Sequence, residues 1–206
     1  MRLLDKTRFI TSVLDELYPE PVIPLEHENK FTFLVAVMLS AQSTDKKVNQ
    51  ITPKLFAKAN NPKKMDKLSE KEIRTIIREI GLAPTKSKNI KKTCKQLLEK
   101  YNGEIPDNFE DLEQLAGVGH KTASVIMSQA FNVPAFPVDT HIHRLAFRWG
   151  LSTGKNVQTT ERDLKSKFEE DHWNRLHLQM IFYGREHCPA RKKMCECRIC
   201  KNIRDS

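Results

Sequence analysis

The feature that most constrains the fold is the stretch at residues 115–123, which reads Leu-Ala-Gly-Val-Gly-His-Lys-Thr-Ala. Gly117 and Gly119 permit backbone angles that other residues resist, so the chain can turn sharply there and come close to a ligand. A short helical pattern precedes the turn, and a longer one begins at about His120. The stretch therefore predicts two helices joined by a tight hairpin. The free N–H groups at the start of the second helix would bind an anion such as a DNA phosphate.

A lysine and a carboxylate near this hairpin suggest covalent chemistry. Lys121 lies in the first turn of the second helix, where the helix dipole disfavours a cation and so favours the neutral, nucleophilic amine. Asp139 precedes Thr140 at a position typical of a helix N-cap. The simpler interpretations are a surface or phosphate-binding lysine and a plain capping aspartate. The functional hypothesis is an amine that attacks a sugar C1′ and a carboxylate that stabilises the positive charge that develops on the sugar.

The balance of charges favours a polyanionic partner. The 206 residues contain 35 Lys and Arg against 26 Asp and Glu, a formal net charge of +9. This charge favours nucleic acid or an acidic membrane surface as a partner, with a basic surface that binds nothing as the alternative. The sequence contains no run of about 18 apolar residues, so it predicts no membrane span. The N-terminal residues lack the apolar core of a signal peptide. We therefore expect a monomer that does not bind membranes, in the cytoplasm and associated with the nucleoid if the source is bacterial.

Hydrophobic periodicity predicts an all-α protein, without a credible pair of strands or an internal repeat. Ser69 and Glu72 form the pattern of a capping box, and Gly81 is expected to end the helix that follows. The predicted helices cover residues 3–17, 31–39, a segment after 45, a segment after 69, a segment around 90–101, 109–115, 120–131, 140–149, 157–168 and 172–183.

A run of lysines decorates the segment at residues 86–95. Such a run usually marks a solvated helix face, with contact to phosphates as the alternative. The lysines concerned are Lys86, Lys88, Lys91, Lys92 and Lys95. Cys94 falls on the apolar stripe of the same helix, so it is expected to be a small core residue.

The remaining cysteines crowd the tail of the chain. Cys188, Cys195, Cys197 and Cys200 lie within 13 residues of each other. In a chain without a secretion signal, such crowding favours metal binding over disulfide bonds.

Together these residues resemble the endonuclease III family of DNA glycosylases, which belongs to the helix-hairpin-helix superfamily. The resemblance covers nearly the whole chain, and its motifs occur in the family's order and spacing. The segments that carry it are residues 39–45, Gly81-Leu82 with Lys86, residues 115–123, residues 138–144, residues 183–185 and the cysteine tail.

The resemblance assigns roles to individual residues. Lys121 falls on the family's catalytic lysine and Asp139 on its catalytic aspartate. Gln42 falls on the residue that fills the gap left by an extruded base, and Leu82 on a residue that wedges the duplex beside the orphan base. Base extrusion is needed because the target atoms cannot be reached inside the stack. Backbone amides around Gly117 and Gly119, with His120, are expected to bind the DNA backbone.

The fold that the resemblance implies is all-α and two-lobed, a helix-hairpin-helix DNA glycosylase fold with a C-terminal iron-sulfur cluster loop. Residues 23–133 would form a six-helix lobe that contains the hairpin. Residues 1–22 and 134–206 would form a second helical lobe that contains the cysteine-rich tail.

The cysteine tail departs from the family's pattern. The family binds a [4Fe-4S] cluster through Cys-x6-Cys-x2-Cys-x5-Cys. Cys188 and Cys195 fit the first interval, but Cys197 and Cys200 follow at intervals of one and two residues. A second register matches Cys197 and Cys200 to the end of the pattern and places Ser206 where the last cysteine would stand. A cluster on all four cysteines or three of them, a zinc site on the same thiolates, and loss of the metal all stay open.

The activity that the resemblance implies is base-excision repair. The protein would remove oxidised pyrimidines from duplex DNA and cleave the resulting abasic site by β-elimination. Its partner would be double-stranded DNA with a damaged base or an abasic site. The alternatives are a mismatch or pyrimidine-dimer glycosylase of the same superfamily, and a helix-hairpin-helix module that binds DNA without catalysis.

Overall fold

The computed structural model describes residues 2–191 and 195–205. Over these residues the chain forms α-helices and one short 3-10 helix, Glu170–His172, and no strand. The all-α prediction is therefore confirmed. The helices are α1 Leu3–Leu17, α2 Lys30–Ser40, α3 Asp45–Lys58, α4 Pro62–Lys67, α5 Glu70–Ile76, α6 Ala83–Lys100, α7 Phe109–Gln114, α8 His120–Ala130, α9 Thr140–Arg148, α10 Val157–Lys165, α11 Trp173–Glu186 and α12 Arg198–Arg204.

Polar side chains at the helix N-termini explain where several helices begin. Asn29 accepts a hydrogen bond from the backbone N–H of Thr32, whose side chain in turn accepts one from the Asn29 N–H. Ser69 and Glu72 form the same reciprocal pair at the start of α5, as the sequence predicts. Each cap satisfies N–H groups that the first helical turn leaves without partners.

The end of α5 differs from the sequence prediction. The helix stops at Ile76, so Gly81 is not its C-cap. The backbone N–H of Ile80 instead bonds to the Ile77 carbonyl in a separate turn, which buries both isoleucine side chains. Helix α6 then begins at Ala83. Pro84 suits its first turn, because the first N–H groups of a helix have no partner within it and proline has no N–H to leave unpaired.

Residues 23–131 form one compact unit, here called the hairpin unit, which contains α2 to α8. Helix α2 is its centre, since α3, α6 and α8 all pack against it. Every residue from Phe31 to Leu39 is buried. This explains why the sequence there is a nearly continuous apolar run, interrupted only by Thr32, without a polar face.

Residues 1–22 and 132–206 form a second compact unit, here called the tail unit. Its core gathers side chains from α1, α9, α10, α11 and α12. Trp149 and Tyr183 are fully buried in it, with their rings edge to face and the centroids 5.6 Å apart. Among the described helices of both units, none has the length and apolar character that crossing a membrane requires.

Candidate active site and cysteine centre

The glycine stretch forms the predicted hairpin between α7 and α8. The backbone N–H of Val118 donates to the Leu115 carbonyl at 3.0 Å, which closes the turn. Gly117 has a φ of +80°, an angle that residues with a side chain rarely adopt. Gly119 is the N-cap of α8, and it is exposed. The hairpin therefore presents backbone N–H groups at the start of an 11-residue helix, an arrangement that suits an anionic ligand.

Helix α6 fixes the hairpin through side chains that the sequence analysis did not single out. Thr93 donates to the Ala116 carbonyl at 2.7 Å. Gln96 accepts from the Ala116 N–H at 2.8 Å and donates to the Gln114 carbonyl at 2.9 Å. Asn89 packs so closely on Gly117 that a Cβ added there would lie 2.6 Å from its Nδ2 atom. Ordinary polar residues 20 or so positions away carry no local signal of this contact.

Lys121 is the second residue of α8, and its side chain is exposed. Its neighbour His120 is held by the preceding helix, since its Nδ1 lies 2.8 Å from Glu113 Oε1. The His120 ring also stacks on Phe109, with centroids 6.0 Å apart. The hairpin unit thus contains Lys121 and the predicted backbone-binding residues on one continuous turn and helix start.

Asp139 belongs to the tail unit, where it is the N-cap of α9. Its Oδ1 accepts a hydrogen bond from the Ile142 N–H at 2.8 Å. The cap leaves the second carboxylate oxygen available for another interaction, because the cap uses only one oxygen. Capping and a catalytic role are therefore compatible at this residue.

Gln42 and Leu82, the two predicted duplex-opening residues, lie on neighbouring loops of the hairpin unit. Both adopt positive φ, +55° for Gln42 and +61° for Leu82, although neither is glycine. A Cβ added at Gly81 would lie 3.3 Å from the Gln42 carbonyl oxygen, so the two loops meet backbone to backbone. Both side chains are exposed. The structure thus brings together two residues that stand 40 positions apart in the sequence.

Lys86 is not on a solvated face, which corrects the prediction from the lysine run. Only 6% of the residue is exposed, and its Nζ donates to the Leu39 and Ala41 carbonyls at 2.9 and 2.5 Å. Lys91 is partly buried too and pairs with Asp66 at 2.8 Å. Periodicity alone did not separate these two from the exposed members of the run, Lys88, Lys92 and Lys95.

The structure gathers Cys188, Cys195, Cys197 and Cys200 at one point of the tail unit. Their Sγ atoms all lie within 4.8 Å of one another, and those of Cys188 and Cys200 are 3.8 Å apart. All four are free thiols, as is Cys94, which is fully buried in the hairpin unit. Ser206, the alternative fourth position, lies outside the described residues.

Two arginines of α9 connect the helix of Asp139 to the cysteine centre. Arg144 donates to the carbonyls of Gly184 and Cys188 at 2.9 and 3.0 Å. Arg148 donates to Cys188 Sγ and to the Pro189 carbonyl, both at 3.1 Å. These contacts tie the start of the cysteine tail to the helix that Asp139 caps.

The donor set is chemically suited to a metal. Hydrogen bonds among the thiols lower the pKa of Cys197 and raise the pKa of Cys188 and Cys200, so Cys197 most readily becomes the thiolate that metals bind. Four thiolates are the ligands of both structural zinc and [4Fe-4S] clusters. One tetrahedral zinc ion holds its thiolates about 3.8 Å apart. A cluster, in which each thiolate binds a different iron, requires wider spacing. The four thiols could thus bind a metal ion or a metal cluster.

Comparison with known proteins supplies the family. Residues 35–170 match the model of the HhH-GPD superfamily base excision DNA repair proteins. The chain is 43% identical over 194 residues to an endonuclease III of Haemophilus influenzae, covering 93% of this chain and 92% of that protein. The chain belongs to the endonuclease III family.

Solved structures of the family extend the agreement to three dimensions. A trapped covalent intermediate of an endonuclease III with DNA, an estranged-adenine complex, superposes with a TM-score of 0.90 at 38% identity, over 98% of this chain and 99% of that one. A non-covalent endonuclease III–DNA complex gives the same TM-score at 37% identity over the full length of both chains. This endonuclease III family member therefore shares the family's fold over nearly the whole length of the chain.

Proposed function

We propose that this protein is a DNA N-glycosylase of base-excision repair that removes oxidised pyrimidines from duplex DNA and cleaves the abasic site by β-elimination. The observation that carries the proposal is the likeness, over nearly the whole chain, to an endonuclease III trapped in a covalent intermediate with DNA. Covalent attachment to DNA is what an amine nucleophile produces. The exposed Lys121 at the hairpin supplies such an amine here.

The hairpin supports the DNA-binding part of the proposal. Backbone N–H groups at Gly117, Gly119 and the start of α8 would donate to phosphate oxygens, with His120 beside them. Such contacts fix the position of the duplex without reading its sequence. The net charge of +9 adds long-range attraction to the polyanion.

The chemistry begins with the Lys121 amine. Its lone pair forms a bond to C1′ as the bond from C1′ to the damaged base breaks, and the base leaves with that electron pair and takes up a proton. Opening of the sugar ring yields an imine between Lys121 and C1′. Loss of a proton from C2′ then expels the 3′ phosphate, which nicks the strand and leaves the lysine attached until water releases it.

Asp139 is proposed to stabilise the positive charge that develops on the sugar as the base departs, in the way a carboxylate does in glycoside hydrolysis. Its cap on α9 fixes the carboxylate in one orientation, since Oδ1 is held by the Ile142 N–H. Gln42 is proposed to fill the space left by the extruded base, and Leu82 to wedge beside the orphan base.

A [4Fe-4S] cluster on Cys188, Cys195, Cys197 and Cys200 is the cofactor that we propose, on the basis of the family and the all-cysteine donor set. The group would be structural and would hold the tail loop against α9. Zinc is the second candidate, because the sulfur separations match a single tetrahedral ion as they stand. Iron, sulfide and zinc analysis with a visible spectrum distinguishes them. A colourless, iron-free protein would exclude the cluster.

Borohydride trapping on abasic DNA tests the lyase. The wild-type protein is expected to form a covalent adduct, and Lys121→Gln to form none, because an amide cannot produce the imine. Lys63→Gln, at another lysine of the hairpin unit, is the matched control and should trap as wild type does. An adduct with Lys121→Gln equal to that of wild type would exclude Lys121 as the nucleophile.

A panel of duplexes with different lesions tests the substrate. Oxidised pyrimidines are expected to be cleaved best, with mismatches and pyrimidine dimers poorer. Faster cleavage of a mismatch or a pyrimidine dimer would assign the protein to one of the alternative glycosylase classes. Binding to every duplex without cleavage of any would instead identify a DNA-binding module. Sedimentation of the same complexes tests the expected monomer.

A further inference from the structure

A buried lysine lies directly behind the two loops that present Gln42 and Leu82. Helix α2 ends at Ser40, and the last carbonyls of a helix have no partner within it. Lys86 Nζ donates to two carbonyls at this end, those of Leu39 and Ala41. A cation at a helix C-terminus is also favoured by the helix dipole. Lys86 therefore caps α2 from a different helix.

The same lysine is attached to the Leu82 loop through its own backbone. It lies in the first turn of α6, and its N–H donates to the Leu82 carbonyl at 2.9 Å. One residue thus bonds through its side chain to the segment before Gln42 and through its main chain to Leu82. No other lysine in the described part of the chain is as deeply buried.

Both loops hold a conformation that needs such support. A non-glycine residue in the left-handed region is strained, because its Cβ crowds the backbone, and two such residues adjoin here. Strain of this kind persists only where the surroundings enforce it. Burial also lowers the pKa of Lys86, so placing an ammonium group here has a cost that an apolar residue would avoid.

We propose that Lys86 is a positioning residue that locks the Gln42 and Leu82 loops into one rigid element for opening the duplex. This inference rests on the proposed function. Loops that are already ordered lose little conformational freedom on entering DNA, so the binding energy goes into separating the base pair. Lys86 contacts neither the sugar nor the base in this role, and it governs duplex opening while the chemical step depends on Lys121.

Lys86→Met tests the proposal, because methionine fills the site with an unbranched chain and removes both hydrogen bonds. Lys100→Met is the matched control: it removes a charge from the same helix at an exposed residue. The probe is a duplex that carries tetrahydrofuran, a stable abasic analogue that cannot be cleaved, opposite 2-aminopurine. Wild type and Lys100→Met should raise the aminopurine fluorescence on binding. Lys86→Met should raise it at least fivefold less at saturating protein.

A cleavage assay complements the fluorescence. With an oxidised pyrimidine in a regular duplex, Lys86→Met should be at least tenfold slower in single turnover. With the same lesion in a three-base bubble, where the duplex is already open, the loss should be less than twofold. An equal loss on both substrates, or equal fluorescence for Lys86→Met and wild type, would overturn the proposal.

The two assays separate this inference from the proposed function. Opening of the analogue duplex by wild type, without cleavage of any lesion, would refute the proposed chemistry and leave the role of Lys86 standing. Wild type that does not open the duplex contradicts both. If Lys86→Met does not fold, Lys86→Gln replaces it. Its amide can still donate to the carbonyls, but it is uncharged and one atom shorter than the lysine, so intermediate fluorescence is then expected.

Discussion

Glycine is explained differently at the two positions of the hairpin, by folding at Gly117 and by the proposed DNA contact at Gly119. Gly117 needs its positive φ, and a Cβ there would collide with Asn89. Gly119 has a φ of −100°, which any residue adopts, and a Cβ there would meet no atom within 4 Å. Folding therefore does not require glycine at position 119. In the proposed DNA complex glycine is needed there, since a methyl group would stand between the N–H groups and the phosphate.

Substitution of each glycine by alanine should separate the two effects. Gly119→Ala is expected to lower the free energy of unfolding by less than about 1 kcal/mol and to weaken DNA binding at least about tenfold. Gly117→Ala should lose more than about 2 kcal/mol, from the left-handed backbone and the clash with Asn89. Denaturant unfolding and fluorescence anisotropy with a labelled duplex measure both. If Gly119→Ala binds DNA as tightly as wild type, the hairpin is not part of the DNA interface.

Asp139→Asn separates capping from catalysis. Asparagine caps helices as well as aspartate does, so stability should stay within about 0.5 kcal/mol of wild type. The neutral amide cannot stabilise a positively charged sugar, so the single-turnover rate should fall about 100-fold or more. A rate within threefold of wild type would leave Asp139 as a cap only. Asn156→Asp, the reverse exchange at the N-cap of α10, controls for the exchange itself.

His141 should make the tail unit sensitive to acid. Its pKa is lowered by burial, an effect that the nearby Asp139 opposes and that Arg144 and Arg185 reinforce. The folded state therefore favours the neutral ring, whose Nδ1 lies 3.2 Å from the Arg144 guanidinium. The contribution of the neutral His141 ring to the free energy of unfolding is complete above the unfolded pKa of about 6.5. It is lost as the pH falls below that value, because the unfolded chain then takes up a proton more readily than the folded one. Between pH 7.5 and pH 5.5, the urea midpoint of unfolding should fall more in wild type than in His141→Gln. Parallel curves would contradict this.

Sequence patterns predicted residues whose role is local and missed those whose role depends on distant partners. Asp139 and Ser69 cap the helices that follow them, as expected, because a cap is defined by its own neighbours. Cys94 is buried on the predicted stripe, and burial raises its pKa to about 12. Lys86 was placed on the surface because its partners lie 45 to 47 residues earlier, where no local pattern records them.

At the scale of elements, apolar periodicity and helix caps predicted most of the helices, and the exceptions are α4 and α12. Helix α1 spans the predicted residues 3–17. Helix α4, with six residues, is too short to show a period, although Asn61 and Pro62 mark its start. Helix α12, with seven residues and one buried side chain, is also too short for periodicity to predict it. Its alignment beside the thiols depends on tail-unit packing, which periodicity does not encode.

Helix α6 acts as the support of the hairpin, and this can be tested at Gln96. Removing its amide breaks two hydrogen bonds to the hairpin backbone. Gln96→Ala should therefore cost about 1–3 kcal/mol of stability and weaken DNA binding more than any loss of folded protein explains. Gln50→Ala, at an exposed glutamine of α3, is the control. Unaltered DNA affinity of folded Gln96→Ala would show that the hairpin keeps its shape unaided.

At the scale of the whole molecule, the cysteine centre joins the end of α11 to α12. Cys188 follows α11, and Cys200 lies within α12. Removal of the proposed metal by a chelator under reducing conditions should lower the thermal midpoint by at least several degrees, because metal binding contributes to folding. Cys200→Ser should behave like the metal-free protein, and Cys94→Ser should keep its metal. An unchanged midpoint after complete metal loss would make the centre dispensable for folding.

The fold class and the family were accessible from the sequence because each motif is compact. The arrangement of Arg144 and Arg148 around the cysteine loop was not, because their acceptors are mostly backbone carbonyls 40 or more residues away. A carbonyl acceptor is common to every residue, so the sequence carries no mark of it. Contacts of this type have to be seen in the structure.

The tail unit is discontinuous, and this has a consequence for the order of events on the ribosome. Helix α1 leaves the ribosome before the other described helices, yet it packs on α11 and α12, which are translated after all of them. The hairpin unit between them is one uninterrupted segment and contains its own core. Because domains tend to fold as units during synthesis, the hairpin unit can fold while α1 still waits for its partners. The tail unit, with its four clustered cysteines, can then be completed only after α11 and α12 have been translated.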